Sequence, residues 1–274
     1  MIFAEVIGDP IAQSKSPIIH KHWLEQLGIE GDYVRTRVAA EKLGPFLVRR
    51  RADPDWRGCN VTIPHKERII PLLSELDAGA RAIGAVNCLV PREKDLIGFN
   101  TDIDGVAAAL DDTDLVGRNV AMIGAGGGAR ALIAYLVRRE ARHIAILVRD
   151  PNKAEPLRDL ATSIEVKVMP LDKAGQAFED AAAIVNSSPL GMAGAAEMPA
   201  ALLEAVGRNA AGATVFDMVT TPAQTAFLHT GRGNGAQAVD GLTMLMGQAM
   251  RAFELFFDRP APPPDRQLRD LLVT

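Results

Sequence analysis

Cysteine is scarce: the 274 residues hold two, Cys59 and Cys88, far apart and without CxxC or Cys/His spacing. That excludes a disulfide framework, argues against a structural zinc site, and fits a reducing compartment. An excess of positive charge is also missing. The formal net charge is −4, whereas a phosphate backbone calls for a basic face, so nucleic acid is not an expected partner. The N-terminus lacks the basic, apolar and small-residue order of a signal peptide. The most apolar stretch, residues 116–137, is interrupted by a glycine cluster and by Arg118 and Arg130, which reads against a membrane span. Internal repeats and long low-complexity linkers are missing too. A cytoplasmic globular protein without a metal or membrane partner is expected.

What is present is core material. Apolar residues make up 48% of the chain and charged ones 23%, enough for one large or two modest domains. The short cluster Arg49-Arg50-Arg51 reads as a solvated helix face. Strand signals at residues 3–7, 33–38 and 58–63 alternate with helical spacing, first at Ile18, Ile19, Trp23, Leu24 and Leu27, then over residues 41–51. Ser16 and Pro17 suit a helix start, with Ser16 as cap, and Gly28 suits its end. Such alternation predicts an α/β sheet that is largely parallel. Further strands are expected at residues 183–186 and 214–217. The tail Pro260-Ala261-Pro262-Pro263-Pro264 cannot continue a helix, and Phe253, Phe256 and Phe257 are expected to pack in a core.

The clearest unit begins at Asn119. The strand Val120-Ala121-Met122-Ile123 runs into Gly124-Ala125-Gly126-Gly127-Gly128-Ala129, a helical pattern follows, and residues 144–148 form a second strand. Gly124, Gly126 and Ala129 stand where a dinucleotide fingerprint needs a tight turn, a close approach to the pyrophosphate and a helix–strand contact. The start of the helix would offer free N–H groups and a positive dipole end to phosphates. At the end of the second strand, an acidic residue would bond the ribose 2′-hydroxyl of NAD and an arginine would accept the 2′-phosphate of NADP. The chain has Val148-Arg149-Asp150 there, with Lys153 one turn on. NADP is the expected cofactor, with NAD as the alternative. Asp150 has a plainer reading as the cap of its own Asp-Pro-Asn turn.

Four other segments carry polar side chains at strand or helix ends: Ser14-Lys15-Ser16, Asn60-Val61-Thr62 with Pro64-His65-Lys66, Ala85-Val86-Asn87, and Asn100-Thr101-Asp102. Ligands collect at the carboxyl ends of parallel strands, where such loops converge. Taken singly, each residue has a structural reading, with Ser16 or Asp102 as a helix cap and Asn87 as a turn residue. Lys66 is the exception, because it follows Pro64 near a helix N-terminus, where the macrodipole disfavours a cation. Such a lysine either snorkels into solvent or is held by a carboxylate or ligand, for which Asp102 is the candidate.

Together these segments resemble the shikimate dehydrogenase family over nearly the whole chain. Further matching text is Gly8-Asp9-Pro10-Ile11-Ala12-Gln13, Asp217-Met218-Val219 and Asp240-Gly241-Leu242-Thr243-Met244-Leu245 with Gln248. The resemblance implies a two-domain α/β fold. An N-terminal substrate domain with a mostly parallel sheet (residues 1–104) would regain the C-terminal helices (240–274), and a Rossmann-like NADP-binding domain (105–239) would lie between. It implies that Ser14, Ser16, Thr62, Lys66, Asn87, Asp102 and Gln248 bind the substrate, with Lys66 and Asp102 as the catalytic pair. It also implies that Gly124, Ala125, Gly126, Gly127, Gly128, Ala129, Arg149, Lys153, Met218 and Gly241 hold the cofactor. The implied reaction is the reversible reduction of 3-dehydroshikimate to shikimate by NADPH, a step of aromatic amino-acid biosynthesis, in a monomer or homodimer. Quinate dehydrogenation, alone or beside shikimate, is the nearest alternative, and a non-catalytic metabolite sensor is a more distant one. The chain departs from the family's pattern at Val148, at Asp150 and at Thr220, where the family often has tyrosine.

Overall fold

The computed structural model describes residues 1–93, 95–161 and 163–273; Lys94, Thr162 and Thr274, which fall within the expected domain ranges, lie outside it. The chain divides into two compact units, Met1–Asp102 with Gln248–Leu272, and Ile103–Gly247. In chain order the elements begin with β1 (Ile2–Gly8), α1 (Ser16–Gln26), β2 (Gly31–Arg37), α2 (Leu43–Arg51), β3 (Trp56–Val61), α3 (His65–Arg68), β4 (Glu75–Leu76) and α4 (Ala78–Ile83). They continue with β5 (Cys88–Arg92), β6 (Asp95–Phe99), α5 (Asp102–Leu110), β7 (Asn119–Ile123), α6 (Gly127–Arg138), β8 (His143–Val148), α7 (Glu155–Arg158) and β9 (Glu165–Pro170). The last are α8 (Ala174–Phe178), β10 (Ala181–Asn186), α9 (Ala200–Asn209), β11 (Thr214–Asp217), α10 (Ala226–Gly233), β12 (Gln237–Val239), α11 (Gly241–Phe257) and α12 (Arg266–Val273).

In the first unit the sheet order is β2-β1-β3-β5-β6-β4. β5 alone runs against its neighbours β3 and β6, so the sheet is mostly parallel. Its core gathers Ile7, Trp56, Val61, Val86 and Leu89. In the second unit the order is β12-β11-β10-β7-β8-β9, and every pairing is parallel. Counted from β7, this is the order of a doubly wound sheet, whose switch point lies between the first and fourth strands. β10 is buried along its whole length, as expected of a strand covered on both faces. The near-continuous apolar runs of β7, β8 and β10 follow from that burial.

Several local expectations are corrected. Ser16 is not the cap of α1. Lys15 stands at that position without a side-chain capping bond, and Ser16 is the first helical residue. The arginine cluster is not simply solvated. Arg50 turns inward, with Nε 2.7 Å from Oε1 of Glu5, a residue of β1 with no exposure. The Arg50 guanidinium also lies 5.0 Å from the Phe3 ring centre and 5.4 Å from that of Phe46. β9 and β12 were not anticipated, β12 being too short to carry a pattern, whereas α12 is one of the C-terminal helices that the resemblance implies. α12 buries Leu268 and Leu272, and Phe253, Phe256 and Phe257 are buried as expected.

Glu5 is fully enclosed and paired with Arg50, with Thr36 as a further donor to its carboxylate. Removing one partner of a buried pair leaves the other charge uncompensated. Arg50→Ala is therefore expected to cost about 3–5 kcal/mol of stability in urea unfolding. A loss like that of an exposed ion pair would show that solvent reaches Glu5.

Candidate active site

β6 ends at Phe99, and the next three residues turn into α5. Asn100 shapes this turn: its Nδ2 donates to the Ala85 carbonyl at 2.8 Å, and its Oδ1 accepts from the Asp102 amide at 3.1 Å. Asn87, just before β5, lies alongside. Its Oδ1 accepts from the Thr101 amide at 2.7 Å, and its Nδ2 donates to Asp102 Oδ1 at 2.8 Å. The other Asp102 oxygen lies 2.6 Å from Lys66 Nζ, in the first turn of α3. The Lys66 carbonyl accepts from the Val86 amide at 2.8 Å, which ties α3 to the segment carrying Asn87. The carboxylate thus meets Asn87 and Lys66 rather than serving as a plain helix cap. Thr101 Oγ1 adds Gln248 of α11, at 3.4 Å.

Lys66, Asn87, Asp102 and Gln248 therefore form one connected group, and Ser14 and Ser16 form a second. Ser14 Oγ is 3.3 Å from Ser16 Oγ and also accepts from the Ser16 amide at 3.4 Å. Arg35 Nε fixes the Ser14 carbonyl at 2.8 Å. Thr62 follows β3, where its amide donates to the Ile7 carbonyl at 3.0 Å. Among the described residues its hydroxyl bonds neither group. Lys66 and Asp102 are both partly accessible, with side-chain exposures of 28% and 16%, so an ion pair is held where a ligand can reach it.

The second unit carries the glycine loop at the switch point. Gly124 has φ +104°, and a Cβ there would lie 3.0 Å from the Ser188 amide nitrogen, so only glycine suits this turn. Gly126 caps α6, a helix of 12 residues, with no side-chain bond to the free amides. The first-turn N–H groups remain available to an anion. A cavity of about 410 Å³ adjoins this loop, lined by Gly124, Ala125, Gly126, Arg149, Asp150, Lys153, Ser187 and Ser188 among others. Gly127, Gly128 and Ala129 do not line it and form the first turn of α6, with Ala129 fully buried. Gly128 and Gly241 instead close on Met218. A Cβ would lie 2.6 Å from its sulfur in one case and 2.7 Å from its carbonyl oxygen in the other. Asp150 caps its own turn, accepting from the Asn152 amide at 3.1 Å. Free helix amides beside two cations and an apolar-walled cavity suit a dinucleotide with an added phosphate.

Two family models match the chain: the shikimate dehydrogenase substrate binding domain over residues 6–89, and shikimate / quinate 5-dehydrogenase over residues 107–198. The shikimate dehydrogenase (NADP(+)) of Sphingopyxis alaskensis is 47% identical over 277 residues, covering 99% of this chain and 97% of that protein. The chain belongs to the shikimate dehydrogenase family. Among solved structures, the Listeria monocytogenes shikimate 5-dehydrogenase in complex with shikimate and NAD is 25% identical. It superposes with a TM-score of 0.89 over 99% of this chain and 96% of that one. The Thermus thermophilus shikimate 5-dehydrogenase in complex with NADP(H) and shikimate is 30% identical, with a TM-score of 0.82 over 100% and 98% of the two chains. A 5-ketofructose reductase of Gluconobacter is 27% identical, with a TM-score of 0.87 over 99% and 97%.

Several residues of this shikimate dehydrogenase family member were missed by reading the sequence. Thr101 and Asn100 lay inside a quoted polar segment, and their burial at 1% and 5% is what marks them. Asp217 was quoted only as text. It is fully enclosed and accepts from Thr225 Oγ1 at 2.6 Å, Asn186 Nδ2 at 2.9 Å and the Val219 amide at 3.0 Å. Burial raises its carboxyl above the ordinary carboxylate value, against the pull of those donors. The run Asn186-Ser187-Ser188 after an apolar strand was the available signal for this hub. Among the described residues no group of three or more His, Cys, Asp or Glu could hold a metal, and no helix is long and apolar enough to cross a membrane.

Asn87 carries the largest share of the first group. Asn87→Ala would orphan the buried Thr101 amide and remove one donor from Asp102. A stability loss of roughly 1–3 kcal/mol is expected in urea unfolding. No measurable loss would mean that water replaces the amide freely.

Proposed function

We propose that the protein catalyses the reversible reduction of 3-dehydroshikimate to shikimate with NADPH, in the cytoplasm, as a monomer or homodimer. The observation that carries this reading is the Lys66–Asp102 pair, 2.6 Å apart, in the unit that also holds the serine pair. In this reading residues 1–104 and 240–274 make the substrate domain and residues 105–239 the nucleotide domain. Ser14, Ser16 and Thr62 receive the substrate carboxylate, and Asn87, Asp102 and Gln248 receive ring hydroxyls. The α6 amides would hold the pyrophosphate, Arg149 and Lys153 the 2′-phosphate, and the Met218–Gly241 contact would shape the nicotinamide end.

Bound NADPH supplies a hydride to the carbonyl carbon. Negative charge then grows on the carbonyl oxygen, and the Lys66 ammonium stabilises it and hands over a proton. Asp102 holds and aims the ammonium, and its second oxygen is fixed by Asn87. The ketone gains one hydride and one proton, so the pair returns to its starting state by taking a proton from solvent. At 2.6 Å the two groups share the proton-donating role, and the formal acid belongs to the pair.

Asp150 does not oppose this cofactor reading, because its carboxylate accepts from its own turn. The relatives named as NADP(+) enzymes support NADP over NAD. Quinate is less favoured on the same names. A 5-ketofructose reductase of like fold cautions that the frame admits other ketones, yet that sugar has no carboxylate to engage paired serines. The presence of both Lys66 and Asp102 also weighs against a sensor without activity.

Lys66→Ala is expected to lower kcat by roughly 10²- to 10⁴-fold with little change in KM for shikimate. A rate like that of the unaltered protein would remove Lys66 from the mechanism. Arg149→Ala is expected to raise KM for NADP roughly ten- to hundredfold and to leave KM for NAD nearly unchanged. An equal rise with both cofactors would show that Arg149 does not meet the 2′-phosphate.

A further inference from the structure

Asn186, the last residue of β10, is fully buried and enters no step above. A side-chain amide offers two protons and two acceptor positions, and here all four are used. Nδ2 donates to the Leu190 carbonyl at 3.0 Å and to Asp217 Oδ1 at 2.9 Å. Oδ1 accepts from the Ser188 amide at 3.1 Å and from the Ser188 hydroxyl at 2.6 Å. Two acceptors on one side and two donors on the other fix which end of the amide is which. The Asn186 carbonyl in turn accepts from the Met218 amide at 2.9 Å.

On one side these bonds hold a wall of the nucleotide cavity. Ser188, Pro189 and Leu190 line that cavity beside Gly124, where an added Cβ would lie 3.0 Å from the Ser188 amide nitrogen. Ser188 Oγ also accepts from the Leu190 amide at 3.3 Å, which closes the turn on itself. On the other side Asp217 takes the Val219 amide at 3.0 Å and Thr225 Oγ1 at 2.6 Å. Met218 is thereby held between two fixed residues, with its sulfur against Gly128 in the first turn of α6. One buried side chain therefore joins the cavity wall to the segment that packs on the phosphate-binding helix.

We propose that Asn186 is a positioning residue for the cofactor, whose amide sets the Ser188–Leu190 wall against Met218 and so fixes the slot that receives the dinucleotide. The proposal rests on the reading of the glycine loop and its cavity as the NADP site. None of the Asn186 bonds reaches Arg149 or Lys153, so the part of the cofactor it serves is the part that NADP and NAD share. Without the amide, the Ser188 donors and the Leu190 carbonyl lose their common partner and the wall is free to shift.

The test uses Asn186→Ala and Asn186→Asp, with dissociation constants for NADP and for NAD from isothermal titration calorimetry and with melting temperatures alongside. Asn186→Ala is expected to raise both dissociation constants by the same factor, roughly ten- to hundredfold, with KM for shikimate little changed. Asn186→Asp keeps the shape and the two acceptor bonds, and it remains readable if the alanine variant fails to fold. It sets a second carboxyl against Asp217 at the 2.9 Å spacing of the present contact. Two carboxyl groups so close share one proton, which takes the place of the amide N–H. Relative to the unaltered protein, its dissociation constant for NADP is expected to rise roughly tenfold between about pH 6 and about pH 9, as that proton leaves. Lower melting temperatures with unchanged dissociation constants would reduce Asn186 to a structural role. A rise for NADP alone, or a loss in Asn186→Asp that is the same at every pH, would also overturn the proposal. In each of these cases the cofactor reading stands, because the unaltered protein still binds. If the unaltered protein binds neither nucleotide, the cofactor reading falls and the proposal with it.

Discussion

An ammonium and a carboxylate 2.6 Å apart persist in a half-buried setting only when the surrounding lone pairs and protons have partners. The first unit is organised around that condition. Asp102 stands on the first turn of α5, and its amide is taken by Asn100 while its second oxygen is taken by Asn87. Asn87 has no freedom to leave, because its carbonyl receives both the Val61 amide and Asn60. Lys66 arrives from α3, whose short span is bound through the Val86 amide. The antiparallel strand β5 is what allows this. By reversing direction between β3 and β6, it puts the start of one strand beside the ends of two others.

The second unit meets a different constraint, the unsatisfied amides at the start of a helix. The capping residue Gly126 brings no side chain to the α6 amides, and the turn before it is open to glycine alone at Gly124. The adjoining cavity collects Arg149 and Lys153. An anion completes such a site, since the helix end, the dipole and the cations all favour the same charge. Asp217, enclosed by three donors, pins the segment holding Met218 near the same loop. A rigid polar hub and an open anion cradle therefore share one sheet edge.

Much of this was legible before any coordinates. The βαβ unit around Gly124 and the mostly parallel sheets follow from local pattern, and helix electrostatics singles out Lys66 as a cation in need of solvent or a partner. Other features were illegible for physical reasons. Arg50 reads as surface because its neighbours Arg49 and Arg51 are cations too. Its pairing with Glu5 spans 45 residues and depends on α2 packing over β1. Ser16 has the residue type of a cap, and its departure from that role follows from Lys15 taking the cap position. Met218, Gly128 and Gly241 share no periodicity, and they meet because strand and helix ends do.

By itself the sequence determined which chemistry was on hand: a glycine turn between strand and helix, two cations after β8, and a lysine set against a helix dipole. These are local properties, governed by residues within one or two turns. Only the tertiary structure decided who meets whom. It set Asp102 rather than another carboxylate against Lys66, turned Asp150 onto its own backbone, and joined Tyr33 to Asn60. Such contacts join residues 33, 60, 87 and 102, and their geometry is fixed by strand order and by the reversed strand β5, which no local pattern encodes.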